Sequence, residues 1–212
     1  MNLLQKLIHN RKTHWERAYK NQSSHKLSWY QDYPEISLRL IASTKVAAES
    51  NIIDIGGGAS KLVDFLLQQG YKNITVLDIA GNSIEKAKLR LGGKANNVKW
   101  IETDITNCNL EIQYDIWHDR AVFHFLTNSQ DRKRYIKTLK QSLKPNGNVI
   151  IATFSLSGPK KCSGLKIARY SPESLLGELG NDFKIIETID EVHITPANAK
   201  QNFIYCHFRK RA

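Results

Sequence analysis

Residues 52–58 read Ile-Ile-Asp-Ile-Gly-Gly-Gly, and an acid, Asp78, follows about twenty residues later. The run 52–55 is short, apolar and β-branched, as expected of a buried parallel strand. The glycines allow a tight turn and a close approach of backbone to a ligand. Apolar positions at helical spacing over 60–69 and a second apolar run at 74–77 predict a helix and then a strand that ends in Asp78. This order is the plan of a nucleotide-binding βαβ unit, whose acid accepts hydrogen bonds from ribose hydroxyls.

The glycine turn does not match the fingerprint for dinucleotides. That fingerprint needs a third glycine in register, to seat a pyrophosphate on the helix N-terminus, and here Gly56, Gly57 and Gly58 are followed by Ala-Ser-Lys. Asp54 precedes the first glycine by two residues, and a carboxylate there disfavours a pyrophosphate and suits an ammonium group. S-adenosylmethionine has an amino group, a sulfonium and a ribose but no phosphate, so it is a candidate ligand. A plain turn without a ligand is the alternative.

Length and composition bound the remaining possibilities. At 212 residues the chain is expected to form one domain with a full core. The formal charge of +11 favours an acidic partner. The basic residues are spread along the chain, however, so the alternative is that they only form ordinary solvent-exposed surface, and nucleic-acid binding is not predicted. Three cysteines without metal-type spacing fit a cytoplasmic protein and predict no metal site. No stretch reaches the length of a membrane span.

Strands and helices alternate along most of the chain, which predicts an α/β fold with a doubly wound, mostly parallel sheet. An N-terminal helical segment or lid over 1–45 is expected to belong to the same domain as a cofactor-binding part over 46–212. The predicted strands are 52–55, 74–77, 98–101, 114–117 and 148–154, and the predicted helices are 1–20, 34–44, 60–69, 82–91, 129–143 and 171–180.

The C-terminal part carries a second distinguishing pattern. Two strand-like runs, 183–193 and 202–209, are separated by 194–201 without a segment of helix length. So short a connection makes an antiparallel hairpin and not a right-handed crossover. A parallel nucleotide-binding sheet that ends in such a hairpin is typical of methyltransferases rather than dehydrogenases.

Nearly the whole chain resembles the class I S-adenosylmethionine-dependent methyltransferases. The matching motifs are Asp-Ile-Gly-Gly-Gly at 54–58, Asp78, Thr-Asp-Ile at 103–105, Tyr-Asp-Ile-Trp-His-Asp at 114–119 and Leu-Lys-Pro-Asn-Gly-Asn at 143–148. The resemblance implies a seven-stranded Rossmann-like sheet, S-adenosylmethionine as cofactor and in-line transfer of its methyl group to an acceptor.

The N-terminal segment is similar to one branch of this family. His-Trp-Glu-Arg at 14–17 and Leu-Ser-Trp-Tyr at 27–30 resemble methyltransferases of lysines in elongation factor and citrate synthase. The lysine-modifying members carry acid-Lys-Gly-Thr after the fourth strand, whereas this chain has His-Asp-Arg-Ala-Val-Phe-His-Phe at 118–125. The difference favours a small-molecule acceptor, and a protein lysine is the alternative.

The resemblance assigns roles to individual residues. It implies that Trp29 and Tyr30 cover the cofactor, that Asp78 holds the ribose and that Asp104 holds the adenine amine. From the residues alone, a helix or turn cap is the alternative for Asp104, and a lid packed on the core is the alternative for the aromatic pair. The full predicted cofactor site is Trp29, Tyr30, Asp54, Gly56, Gly57, Gly58, Asp78, Ile79, Asp104, Ile105 and His118.

His118 and Asp119 are the candidate catalytic residues, because they follow the fourth strand where cofactor and acceptor meet. Unperturbed imidazole accepts a proton near neutral pH, so His118 is a candidate general base. A histidine that packs on the cofactor or bonds to backbone is the alternative. Asp119 is also expected to pair with Arg120. Two functions of other classes stay open: a nicotinamide oxidoreductase and a cofactor-binding sensor without turnover.

Overall fold

A computed structural model describes residues 3–21 and 23–212, and its centre is a seven-stranded sheet. Its strand order is β3-β2-β1-β4-β5-β9-β8, in which the first five strands are parallel and β9 is antiparallel to both of its neighbours. The strands are β1 (Asn51–Ile55), β2 (Asn73–Asp78), β3 (Val98–Glu102), β4 (Tyr114–Arg120), β5 (Leu143–Phe154), β8 (Phe183–Ile194) and β9 (Lys200–Lys210), while β6 (Lys161–Cys162) and β7 (Leu165–Lys166) form a separate small hairpin. The predicted doubly wound sheet with a terminal hairpin is confirmed.

Helices cover both faces of the sheet and produce two hydrophobic cores. The helices are α1 (Leu3–Asn21), α2 (Glu35–Ser43), α3 (Leu62–Gln68), α4 (Gly81–Leu91), α5 (Ser129–Ser142) and α6 (Pro172–Leu179). Successive residues of β1 face opposite sides, so Ile52 packs with α2 and α3 and Ile53 packs with α5 and α6. Burial on both faces explains why these strands read as continuous apolar runs.

The fourth strand is longer than the sequence pattern predicts. It was expected over 114–117, and it continues to Arg120. Consequently His118 and Arg120 project from one face of the sheet and Asp119 projects from the other. The motif at 143–148, which resembles the turn before the fifth strand in the family, is part of β5. Residues 144–147 bulge out between the positions paired with Tyr114 and Ile116.

The N-terminal helix predicted over 1–20 is present from Leu3 to Asn21, and residues 1 and 2 lie outside the described part of the chain. It packs on the start of α4, where Glu16 accepts hydrogen bonds from the backbone N–H groups of Gly81 and Asn82 at 2.7 and 3.2 Å. A carboxylate at a helix N-terminus is favourable, because it satisfies free N–H groups and complements the helix dipole. Across residues 3–21 and 23–212, no helix combines the length and apolarity needed to cross a bilayer.

Candidate cofactor and methyl-transfer site

Two adjoining cavities lie where β1, β2, β3 and β4 end, the edge at which open α/β sheets bind ligands. The first contains about 760 Å³ of empty space and the second about 560 Å³, and both are partly open to solvent. They share four wall residues, Tyr19, Trp29, Gly56 and Arg120. The predicted residues Asp78, Ile79, Asp104 and Ile105 line the first cavity, and Tyr30, Asp54, Gly57 and His118 line the second.

The glycine turn after β1 forms the floor between the cavities. Gly56 has φ of +68°, a conformation that favours glycine, and Gly57 lies directly over the Asp54 side chain. A Cβ on Gly57 would come within 2.7 Å of the Asp54 carboxyl carbon. Gly58 lies against Asp78 and Ser83, beneath the turn, and is not among the wall residues of either cavity. The turn therefore lies on two carboxylates, which disfavours a pyrophosphate.

Asp78 ends β2 and is 4% exposed at the wall of the first cavity. One carboxylate oxygen accepts from the Ala80 N–H at 2.8 Å. Burial raises the pKa of Asp78 to about 7, since the ionised form is desolvated. A carboxylate in this position gains stability from any ligand that donates hydroxyl hydrogen bonds to it.

Asp104 is both a turn cap and a free acceptor. Its Oδ1 accepts from the backbone N–H and the hydroxyl of Thr106, at 2.8 and 2.7 Å. Its Oδ2 is buried and accepts no hydrogen bond; Arg11 Nε is 3.4 Å away, within ion-pair distance but without hydrogen-bond geometry. The two roles that the sequence left open for Asp104 are thus compatible, because Oδ1 caps the turn and Oδ2 has no hydrogen-bond donor of its own.

His118 is held at both ring nitrogens. Its Nδ1 is 2.6 Å from Asp54 Oδ1, and its Nε2 is 2.9 Å from the Ser37 hydroxyl on α2. All three side chains are buried, and Asp54 and His118 are register partners on neighbouring strands. With Nδ1 donating to the carboxylate and Nε2 accepting from the hydroxyl, no lone pair of the ring is left for a substrate proton. This geometry fixes the orientation of Asp54, and general-base catalysis by His118 stays a prediction.

Asp119 lies on the opposite face of the sheet and is not among the wall residues of either cavity. It is fully buried, and it accepts from the Tyr135 hydroxyl at 2.6 Å and from the N–H groups of Val122 and Phe123 at 2.9 and 3.3 Å. Burial raises its pKa to about 6. These contacts fix the turn after β4, while a direct chemical role stays a prediction.

The expected ion pair between Asp119 and Arg120 is wrong, because adjacent residues on a strand point to opposite faces. Arg120 instead donates from Nε to the Tyr205 hydroxyl and from Nη1 to the Trp29 carbonyl, both at 2.8 Å. Its Nη2 is 3.7 Å from Glu191 Oε2.

The N-terminal helix supplies three wall residues that are not part of the predicted cofactor site. Arg11, Trp15 and Tyr19 line the first cavity, and their spacing of four places them on one face of α1. Trp15 makes edge-to-face contacts with Trp29 and Phe125, with ring centroids 5.6 and 4.9 Å apart. The repeat of four over 11, 15 and 19 is the signal that could have identified this face.

The loop 155–169 contributes Cys162 to the first cavity through the small β6–β7 hairpin. The thiol is buried, and burial raises its pKa to about 11, so it is a neutral packing group and not a thiolate.

The polar atoms present fit S-adenosylmethionine. Asp104 Oδ2 is an unfilled acceptor suited to an amine, Asp78 is a carboxylate suited to ribose hydroxyls, and Asp54 is a carboxylate suited to an ammonium group. Three acids at one sheet edge complement a ligand that is cationic and has no phosphate.

The chain is similar to known methyltransferases. A family described as "Methyltransferase domain" matches residues 53–149. The human EEF1A lysine methyltransferase 2 is 22% identical over 201 residues, which covers 83% of this chain and 75% of the relative. The ubiquinone biosynthesis O-methyltransferase of Rickettsia typhi is 28% identical over 119 residues, 56% of this chain and 47% of the relative.

Among solved structures, the N-methyltransferase NodS of Bradyrhizobium japonicum, in complex with S-adenosylhomocysteine, has a TM-score of 0.69 at 18% identity and covers 93% of this chain and 98% of NodS. The sheet order and the acidic edge thus define a Rossmann-like cofactor-binding fold of the methyltransferase type. The family match, the relatives and the shared fold together support a class I S-adenosylmethionine-dependent methyltransferase.

Proposed function

We propose that the chain methylates a small molecule at a nucleophilic atom that the enzyme does not have to deprotonate. The observation that carries this proposal is the lack of a free base where the cavities meet. The four wall residues that the cavities share, Tyr19, Trp29, Gly56 and Arg120, carry no carboxylate or imidazole. Nearby, Cys162 in the wall of the first cavity is a neutral thiol, and His118 in the wall of the second is bonded at both ring nitrogens. A cavity wall without a free base suits a nucleophile from which the enzyme need not remove a proton. Examples are a thiolate, a carboxylate and an uncharged amine.

Bound S-adenosylmethionine supplies an electrophilic methyl group on a sulfonium, and the sulfur keeps the electron pair of the broken bond. Asp78 would accept hydrogen bonds from the ribose hydroxyls, Asp104 Oδ2 would accept one from the adenine amine, and Ile105 would pack against the ring. Asp54 holds the ammonium group while the Ser37 and His118 contacts keep its carboxylate in place. Alignment in a closed site is the main contribution of the protein to such a displacement.

The aromatic residues of the N-terminal segment exclude water from the reacting atoms. Trp15 and Trp29 line the first cavity together with Phe125 from the turn after β4. Aromatic faces attract a sulfonium through cation–π interaction, worth about 0.5–2 kcal/mol. We therefore assign residues 1–45 to the same domain as residues 46–212, since α1 forms part of the cofactor wall.

A protein lysine is the second candidate acceptor. The relative matched over 83% of this chain is named as a lysine methyltransferase of EEF1A, and the match extends beyond the cofactor motifs. The formal charge of +11 suits an acidic protein surface. The unpaired cysteines Cys108, Cys162 and Cys206 support a cytoplasmic location for either activity.

Labelling with [methyl-³H]S-adenosylmethionine tests the acceptor class. The protein is incubated with a cell extract, and label is counted in protein, nucleic-acid and small-molecule fractions, with Asp78→Ala as the control that loses cofactor binding. We expect label in the small-molecule fraction. A discrete labelled protein band that Asp78→Ala does not produce would overturn the preference for a small acceptor and support lysine.

A further inference from the structure

The first part of the chain carries a concentrated positive charge. Residues 1–31 contain six lysines and arginines and a single acid, Glu16. The Glu16 carboxylate is occupied by the backbone N–H groups at the start of α4. Arg11 and Lys12 pair with acids at or just after the end of β3. The charge of the other N-terminal cations is therefore not balanced by an acid within this segment.

An open groove, here called the N-terminal groove, runs along α1 outside the two cofactor cavities. It contains about 1460 Å³ of space that is open to solvent, and its other walls are residues 26–29 and the turn of the β6–β7 hairpin. From α1 it takes positions 10, 14, 17 and 21, whose spacing of three and four places them on one face of the helix. This face lies beside the face at 11, 15 and 19 that lines the first cavity.

Two cations in the wall of the N-terminal groove are free to bind a ligand. Within residues 3–21 and 23–212, the side chains of Arg17 and Lys26 make no ion pair or hydrogen bond, and both residues are exposed. No aspartate or glutamate is among the described wall residues of the groove. His14 Nε2 lies 3.5 Å from the Ser163 hydroxyl on the hairpin turn, so polar groups close one end. Positive charge and hydrogen-bond donors without an acid complement an oxyanion.

Trp29 separates the N-terminal groove from the methyl-transfer site, since it is a wall residue of the groove and of both cavities. Its carbonyl accepts from Arg120 at 2.8 Å, and the carbonyl of Ser28 is 2.8 Å from His193 Nε2. Two successive carbonyls therefore fix this segment to the sheet. A molecule in the groove is one side chain away from the place where the cavities meet.

We propose that the N-terminal groove binds an oxyanion of the methyl acceptor, a phosphate or a carboxylate, and that Arg17 and Lys26 determine specificity for it; this assignment rests on the proposed small-molecule acceptor. The nucleophilic atom then lies on the cofactor side of Trp29 while the anion stays in the groove. The acceptor is thus a molecule whose anionic group and methylated atom are at separate positions.

The test measures how the rate of label transfer from [methyl-³H]S-adenosylmethionine depends on the concentration of the small-molecule fraction of a cell extract. Combining Arg17→Gln with Lys26→Gln should raise the half-saturating extract concentration about fivefold to thirtyfold, as expected for the loss of two exposed ion pairs. The maximal rate and the calorimetric affinity for S-adenosylhomocysteine should stay within about twofold, because neither residue is in the wall of the cofactor cavities.

Lys20→Gln is the matched control. Lys20 is an exposed cation on the same helix, but it is not a wall residue of the N-terminal groove or of either cofactor cavity. Its removal lowers the net charge by the same amount as one of the test substitutions, and the half-saturating extract concentration should change by less than about twofold.

The labelled product identifies the anion. It should be retained on an anion-exchange resin at neutral pH. A phosphatase removes this retention from a phosphate monoester and leaves it unchanged for a carboxylate, so the two sources of the oxyanion are distinguished.

The outcomes separate the groove assignment from the proposed function. A neutral or cationic labelled product, an unchanged half-saturating concentration in the double variant, or an equal rise in Lys20→Gln would overturn the assignment and leave a small-molecule methyltransferase. No transfer of label from the parent protein to the small-molecule fraction would instead contradict the proposed function, and the assignment with it.

Discussion

Exchanging Asp104 for asparagine tests the adenine site with almost no change of shape. The amide oxygen of the new side chain can keep both Thr106 contacts of the present Oδ1, so the turn cap is preserved. The amide NH₂ then replaces Oδ2, the buried oxygen without a hydrogen bond. Asp104→Asn therefore turns an acceptor into a donor that faces the adenine amine, itself a donor.

The expected loss follows from the chemistry of that contact. A hydrogen bond to a charged acceptor contributes about 1.5–3 kcal/mol, which is about tenfold to a hundredfold in affinity. S-adenosylhomocysteine should weaken by this factor. Folding stability should change by less than about 1 kcal/mol, because the cap remains.

Calorimetry should compare S-adenosylhomocysteine with S-inosylhomocysteine, whose purine carries an oxygen in place of the amine. The parent protein should prefer the adenosyl ligand, and Asp104→Asn should reverse the preference, since the new NH₂ can donate to the purine oxygen. Asp131→Asn is the control. Asp131 is a second acid beside the same guanidinium, with its Oδ2 3.6 Å from Arg11 Nη2, but it is not a wall residue of either cavity. An unchanged preference in a folded Asp104→Asn protein would refute the assignment.

Three other perturbations have distinct expected results. Burial raises the pKa of Asp78 to about 7, and the ribose hydroxyls need its ionised form. The affinity for S-adenosylhomocysteine should therefore fall up to about tenfold per pH unit as the pH drops below 7. Calorimetry between about pH 5.5 and 8.5 should show this dependence in the parent protein and not in Asp78→Asn. Tyr135→Phe removes the hydroxyl that donates to buried Asp119 and should cost about 1–3 kcal/mol of unfolding free energy in urea titrations, with ligand affinity within about twofold. Gly57→Ala places a methyl group against a buried carboxylate and should eliminate ligand binding, whereas Gly177→Ala, in an open helical position, should stabilise the fold by about 0.5–1 kcal/mol.

The fold was predictable because its signals are local. Each signal depends on a few neighbouring residues. These signals are the apolar run before Gly56, the acid after the second apolar run, and the short link between the last two strands. Together they predicted a doubly wound, mostly parallel sheet that ends in an antiparallel hairpin, and the structure confirms both. The N-terminal extent of β5 was missed because the bulge at 144–147 reads as a turn from its Pro-Asn-Gly sequence.

The site was only partly predictable because its contacts join distant parts of the chain. Ser37 reaches His118 across 81 positions, and Arg120 reaches Tyr205 across 85, so neither contact leaves a local pattern. The mistaken Asp119–Arg120 pair came from reading a strand as a loop, where adjacent side chains are free to meet. Once β4 extends to Arg120, alternation separates the two residues.

The most direct measurement for the central claim is a calorimetric titration of the protein with S-adenosylmethionine, S-adenosylhomocysteine and NAD under one buffer condition. Three carboxylates at the sheet edge, and a glycine turn without the third glycine in the dinucleotide register, predict saturable binding of the two adenosyl sulfur ligands and no measurable heat with NAD. Tight NAD binding without a response to S-adenosylmethionine or S-adenosylhomocysteine would contradict the account.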